Sequence, residues 1–144
     1  MRLSVSTDIA FRVLMHAAAH PGRHTIDELA TTLAVSRNHL AKVVQRLARA
    51  GLLQTTRGQA GGLRIDPEAT RRSVGEVVRD FEGTAPVVDC ESPSCPLRST
   101  CTLRGVLRRA QEAFYAELDT VLIGDLVRPA GRTVLLELTS GVTR

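Results

Sequence analysis

Residues 25–51 read TIDELATTLAVSRNHLAKVVQRLARAG, and the fold turns on how this stretch is punctuated. Thr25 and Glu28 have the spacing of a capping box, in which hydroxyl and carboxylate each satisfy a backbone donor of the first helical turn. Ile26, Leu29, Ala30 and Leu33 follow at helical intervals and should face inward. A turn is expected at Ala34 and Val35. Ser36 then caps a longer helix that runs to about Ala50 and stops at Gly51. Two short helices joined by a tight turn have the cadence of a helix-turn-helix.

The second of these helices has two distinct faces. Leu40, Val43, Val44 and Leu47 form a narrow apolar stripe, while Asn38, Lys42, Gln45 and Arg49 lie opposite, with Ser36, Arg37 and His39 at the helix start. Asn, Gln and Arg can make paired hydrogen bonds to base edges, and Lys can contact guanine or phosphate. An ordinary solvated face would normally mix in acids, and this one carries none. Downstream, two β-prone runs at 52–56 and 63–65 flank the glycine-rich RGQAGG, which reads as a hairpin. Placed after a recognition helix, a hairpin is a wing, with Arg57 and Gln59 as candidate DNA contacts. A phosphate-cradling nucleotide loop is the alternative, but the segment lacks the Gly-Lys-Ser/Thr ending that such loops need.

Composition points the same way. Residues 1–72 hold eleven Arg and Lys against five Asp and Glu, a balance of +6, whereas residues 73–144 hold eight against ten, a balance of −2. Residues 29–65 hold six basic residues and no acid, a local field suited to a polyanion. In 144 residues with 43% hydrophobic content and 3% aromatic, one aliphatic core is expected. No fingerprint for a flavin, a nicotinamide or a catalytic triad stands out, so an enzyme is not expected. Asp8 and Arg12 interrupt the apolar N-terminal run. A secretory signal and a membrane span are therefore not expected, and a cytoplasmic location is.

Ser6 is a candidate cap for a first helix with Ile9, Val13, Leu14 and Ala17 inward, and Ser73 with Glu76 makes a second capping box. All three cysteines fall in CESPSCPLRSTC, residues 90–101, with C-x4-C-x5-C spacing. Structural zinc usually shows C-x2-C pairs, which are absent. The wider spacing on a proline-bearing loop suits an iron–sulfur cluster, with zinc and a redox-active thiol loop as alternatives. Beyond the loop, Leu103, Val106, Leu107, Ala110, Phe114 and Leu118 form a long stripe. Pairing with a second copy would hide it, and packing back on its own domain is the other possibility.

The opening MRLSVSTDIAFRVLMHAA, the helix pair, RGQAGGLRI, SVGEVVRDFEG, the three-cysteine loop and AQEAFYAELD together resemble the iron–sulfur-dependent winged-helix transcriptional regulators of the NsrR, IscR and RirA group, across roughly residues 1–127. The resemblance is nearest to the nitric-oxide-sensing NsrR branch. It implies a homodimeric repressor with crossing long helices, two heads on a palindromic double-stranded operator, and a cluster near each head. It implies Cys90, Cys95 and Cys101 as ligands, with Asp8 of the other subunit as the fourth; a [4Fe–4S] cluster is expected, [2Fe–2S] being the alternative. An IscR-type histidine three residues past the last cysteine is missing, since Arg104 stands there. The first cysteine gap, four residues, is one shorter than the resemblance implies. Arg12 could orient Asp8, and Glu82 could join them. Nitric oxide is the expected signal; iron or cluster status, or a thiol–disulfide switch, are the alternatives. The expected layout is a winged helix-turn-helix at 1–72, a short helix and cluster loop at 73–101, a dimerisation helix region at 102–127 with a short helical piece at 121–127, and a tail at 128–144.

Overall fold

A computed structural model describes residues 2–56, 58 and 61–127. The wing candidates Arg57 and Gln59 and the tail at 128–144 lie outside the described residues. Among the described residues, five α-helices and one hairpin make up a mainly helical winged helix-turn-helix: α1 (Val5–Ala19), α2 (Ile26–Thr32), α3 (Arg37–Arg49), β1 (Leu53–Thr56), β2 (Gly62–Ile65), α4 (Val74–Glu82) and α5 (Thr102–Asp119), with 3-10 turns at Pro67–Arg71 and Ile123–Val127. Among the described residues no helix is long and apolar enough to cross a membrane.

The local signals have local causes. Thr25–Glu28 and Ser73–Glu76 both form complete capping boxes. The helix-turn-helix turn places Ala34 at φ 51, a left-handed conformation that costs an L-residue roughly 1 kcal/mol. Gly51, at φ +73 just after α3, takes that conformation without penalty. One expected cap differs. Ser4, not Ser6, caps α1 by accepting from the Thr7 N–H, and the helix begins at Val5.

Leu40, Val43, Val44 and Leu47 of α3 pack with Ile9, Ala10, Val13 and Leu14 of α1 in one aliphatic core, joined by Leu29, Leu52, Leu63, Val77 and Phe81. The hairpin runs antiparallel, Leu53 opposite Ile65 and Thr56 opposite Gly62. Its second strand is fastened on the other side by His24, which exchanges two 2.8 Å backbone bonds with Leu63. A Cβ at Gly62 would lie 2.6 Å from Arg23 Cγ and 2.8 Å from His24 O, so the wing's base admits no side chain there.

The chain also returns to this core after its longest helix. Val74 N–H donates to Val121 O at 2.8 Å, and Ile123 N–H donates to Arg72 O at 2.9 Å. Ile123 is fully buried in the same core as α1 and α3. By contrast α5 has no buried residue, and Leu103 and Val106 are 61% and 45% exposed. The apolar stripe on α5 is therefore open in the single chain.

Candidate nucleic-acid interface and cysteine loop

Helix α3 presents its polar face to solvent because its four aliphatic residues are all spent on the core. Asn38, Lys42, Gln45 and Arg49 are exposed, and none of the hydrogen bonds or ion pairs among the described residues engages them, so these side chains are free to meet a ligand. Ser36 is occupied as the N-cap, accepting from His39 N–H at 3.4 Å. His39 is half-buried, with its Nε2 3.2 Å from Ser6 Oγ. Arg37 is held by Asp27 of α2, Nε to Oδ1 at 2.6 Å. A groove of about 520 Å³ runs between α3 and the first turn of α1, lined by Ser6, Asn38, His39, Lys42, Arg46 and Phe81.

The Asp27 contact has a measurable consequence. Exposed pairs of this kind contribute at most about 1 kcal/mol, yet the carboxylate both occupies Arg37 and repels phosphate. Asp27→Asn is expected to tighten DNA binding roughly three-fold at low salt. Titrations by fluorescence anisotropy at two salt concentrations check it, and unchanged or weaker binding at low salt would show that Arg37 does not approach DNA.

The cysteine loop leaves the C-terminal end of α4 at Gly83. Asp89 Oδ1 accepts from Glu91 N–H at 2.8 Å and Ser92 N–H at 3.1 Å, which bends the chain at Cys90. Cys95 N–H donates to Cys90 O at 3.1 Å, and Arg98 pairs with Glu91 at 2.9 Å. Cys90, Cys95 and Cys101 are all unpaired and half-buried, and Cys101 is the N-cap residue of α5. A cleft of about 820 Å³ opens beside Cys101, with Arg79, Arg98, Arg104 and Arg108 on its walls. Three free thiols on one loop are soft donors of the type that iron takes, so the donor set fits an iron–sulfur group in kind. Among the described residues, however, no three Cys, His, Asp or Glu side chains stand together as a metal site.

Asp8 lies in the first turn of α1, exposed, paired with Arg12 at 2.7 Å. Glu82, at the last position of α4, does not approach that pair through any bond among the described residues. Its carboxylate instead accepts from Ser4 N–H at 2.7 Å and from the Thr7 hydroxyl. These bonds, Thr7's first, hold Glu82 below the usual carboxylate range. The turn bearing Asp8 is therefore tied to the residue from which the cysteine loop departs.

Sequence reasoning missed two features. Arg46 of α3 donates to Asp80 O at 2.5 Å and Phe81 O at 3.1 Å, with its guanidinium 4.4 Å from the Phe81 ring centroid. Arg79 makes a bidentate pair with Asp119 of α5, at 2.7 and 2.6 Å, and stacks over Tyr115 at 4.5 Å. Neither arginine had a sequence signal beyond its charge, because each partner lies more than thirty residues away.

A basic recognition helix with Asn38, Lys42, Gln45 and Arg49 exposed on a helix-turn-helix, backed by a hairpin wing, defines a winged-helix transcriptional regulator that binds DNA. The chain belongs to the Rrf2 family, described as iron-dependent transcriptional regulators, whose model matches residues 3–129. It is 46% identical over 143 residues to the HTH-type transcriptional repressor NsrR of Streptomyces coelicolor, covering 96% of this chain and 97% of that one. Its fold is similar to that of CymR, the global cysteine regulator of B. subtilis, with TM-score 0.68, 24% identity and coverage of 88% and 95% of the two chains. T. potens IscR is similar at TM-score 0.71 and 20% identity, with coverage of 90% of this chain and 88% of that one.

Proposed function

We propose that this regulator is a homodimeric repressor whose operator binding depends on an iron–sulfur cluster and is relieved by nitric oxide. The observation that carries the reading is the unpaired set Cys90, Cys95 and Cys101 on a loop hung from Glu82, the residue that also fastens the turn bearing Asp8. The 46% identity to a repressor named NsrR supports the choice of signal. When bound, a cluster, [4Fe–4S] in this reading, would supply iron at which nitric oxide reacts. The three thiolates would hold it on one chain, and Asp8, contributed across the dimer, would be the fourth ligand. A carboxylate oxygen is a weaker partner for iron than a fourth thiolate, so Asp8 would be the more easily displaced of the four ligands. Arg12, paired with Asp8 at 2.7 Å in the single chain, would orient that carboxylate. The open stripe on α5, with Leu103 and Val106 exposed, supplies the dimer seam, and two heads then read two half-sites one helical turn apart.

Native mass spectrometry of oxygen-free protein tests this directly. Two chains carrying iron and sulfide, binding a palindromic operator that nitric oxide releases, is the expected result. Asp8→Ala should weaken cluster retention, while Lys42→Ala should weaken DNA binding with an unaltered cluster spectrum. Colourless protein, metal-free or zinc-loaded, with full operator affinity would overturn the reading. The family's description as iron-dependent favours one second reading, in which iron supply is the signal; operator release by an iron chelator but not by nitric oxide distinguishes it.

A further inference from the structure

We infer that Arg46 is a positioning residue that makes the recognition helix follow the end of α4, and so the cysteine loop, rather than a residue that reads DNA. The inference rests on the function proposed above and names the part of the chain that transmits its signal.

Arg46 lies within the recognition helix, yet its guanidinium turns away from the free polar face. It donates to the carbonyls of Asp80 and Phe81 and lies over the Phe81 ring. Those carbonyls belong to the last turn of α4, where backbone acceptors lack helical partners and the dipole is negative. A planar cation with several donors satisfies both needs at once. A second arginine holds the same C-terminal end of α3: Arg72 donates to Ala50 O at 3.0 Å, and its guanidinium also pairs with Asp80 at 2.9 Å.

Both attachments lead to the last turn of α4, so a shift of the α4 end is carried into α3 at its C-terminal turn. With 1.5 Å of rise per residue, Asn38 lies about 12 Å further along the helix from Arg46 and moves with it. The N-terminal half of α3 is drawn the same way, because Ser6, bonded to His39, sits in the α1 turn that Glu82 holds through Ser4 and Thr7. The α4 end thus grips the recognition helix directly through Arg46 and indirectly through α1.

Arg46→Met retains bulk against Phe81 and removes both carbonyl bonds, and Arg46→Lys retains the charge with fewer donors. Circular dichroism confirms that each is folded. In the cluster-loaded chain, nitric oxide is expected to cut operator affinity by about ten-fold in the parent, by less than about two-fold in Arg46→Met, and by an intermediate factor in Arg46→Lys. A full parental response in Arg46→Met overturns the inference. So does an equal loss of affinity for operator and unrelated DNA, with the salt slope reduced by about one, since that is the mark of a phosphate contact.

A second measurement needs no cluster. Glu82→Gln should speed amide exchange in residues 43–49 several-fold in the parent background and leave it unchanged beside Arg46→Met. Equal acceleration in both backgrounds overturns the inference, even where the parent ignores nitric oxide and the functional reading itself fails.

Discussion

Gly75→Ala is expected to lower the stability of the folded chain by about 2–3 kcal/mol, through the dock of α5 on α4. Gly75 is buried in the first turn of α4. A Cβ there would lie 2.0 Å from Asp119 Oδ1, 2.9 Å from its Cγ and 3.1 Å from its backbone N. The carboxylate cannot simply rotate, because Arg79 holds both its oxygens and the Ser73 hydroxyl donates to it at 3.3 Å. The ion pair is partly exposed and contributes no more than about 1 kcal/mol by itself; the remainder is overpacking against the anchored Asp119 side chain. A fall of roughly 8 °C in the thermal midpoint is expected for a chain of this size. Asp119→Ala should recover part of that loss when combined with Gly75→Ala. A midpoint equal to the parent's would mean that α5 is not seated at Gly75.

The second large effect is a pH dependence set by His16. Its side chain is 3% exposed, and Nδ1 has no hydrogen-bond partner. The His20 ring stacks on it at 4.4 Å and the His24 ring meets it edge-on at 5.1 Å. Both neighbours are anchored, His20 Nδ1 donating to His16 O at 3.0 Å and His24 Nε2 to His20 O at 2.8 Å. Burial first, then repulsion from His20 and His24, pushes the His16 pKa down to about 4.

Between about pH 6.5 and 4 the unfolded chain therefore binds a proton at His16 that the folded chain refuses, and stability falls as the pH falls. The full loss, reached near pH 4, is about 3 kcal/mol. Glu82 and Asp119, held below the carboxylate range by Thr7 and Arg79 respectively, keep their contributions until the pH drops below the ordinary carboxylate values. The upper part of the acid limb thus belongs to His16. Urea denaturation of the parent and of His16→Leu at pH 7 and pH 4.5 should show a markedly shallower decline in the variant. Parallel declines would assign the acid sensitivity elsewhere.

Much of this architecture could be read from near neighbours along the chain. Both capping boxes, the Ala34 turn, the Gly51 stop and the aliphatic stripe of α3 depend on residues within one or two turns of each other, and all appear as expected. The paired hydrogen-bonding residues on α3 are equally legible, because helical periodicity alone puts Asn38, Lys42, Gln45 and Arg49 opposite the stripe. The first helix shows where such reading stops. Ser4 and Ser6 are both acceptable caps by type, and the choice goes to Ser4, whose own N–H is bonded to Glu82, seventy-eight residues downstream. Ser6 is left to meet His39.

The same limit governs every long-range polar contact. No pattern within residues 37–49 says that Arg46 turns to the carbonyls of α4, or that Ile123, beyond an almost unburied helix, completes the core of α1 and α3. Hydrophobic period and capping chemistry are settled by atoms a few residues apart, so composition and spacing suffice for the reader's fold and its basic face. Which cation meets which carbonyl, and which turn a carboxylate fastens, is set by the path the chain takes on its return, when burial of the aliphatic core has already chosen the packing and the polar groups must find partners within it.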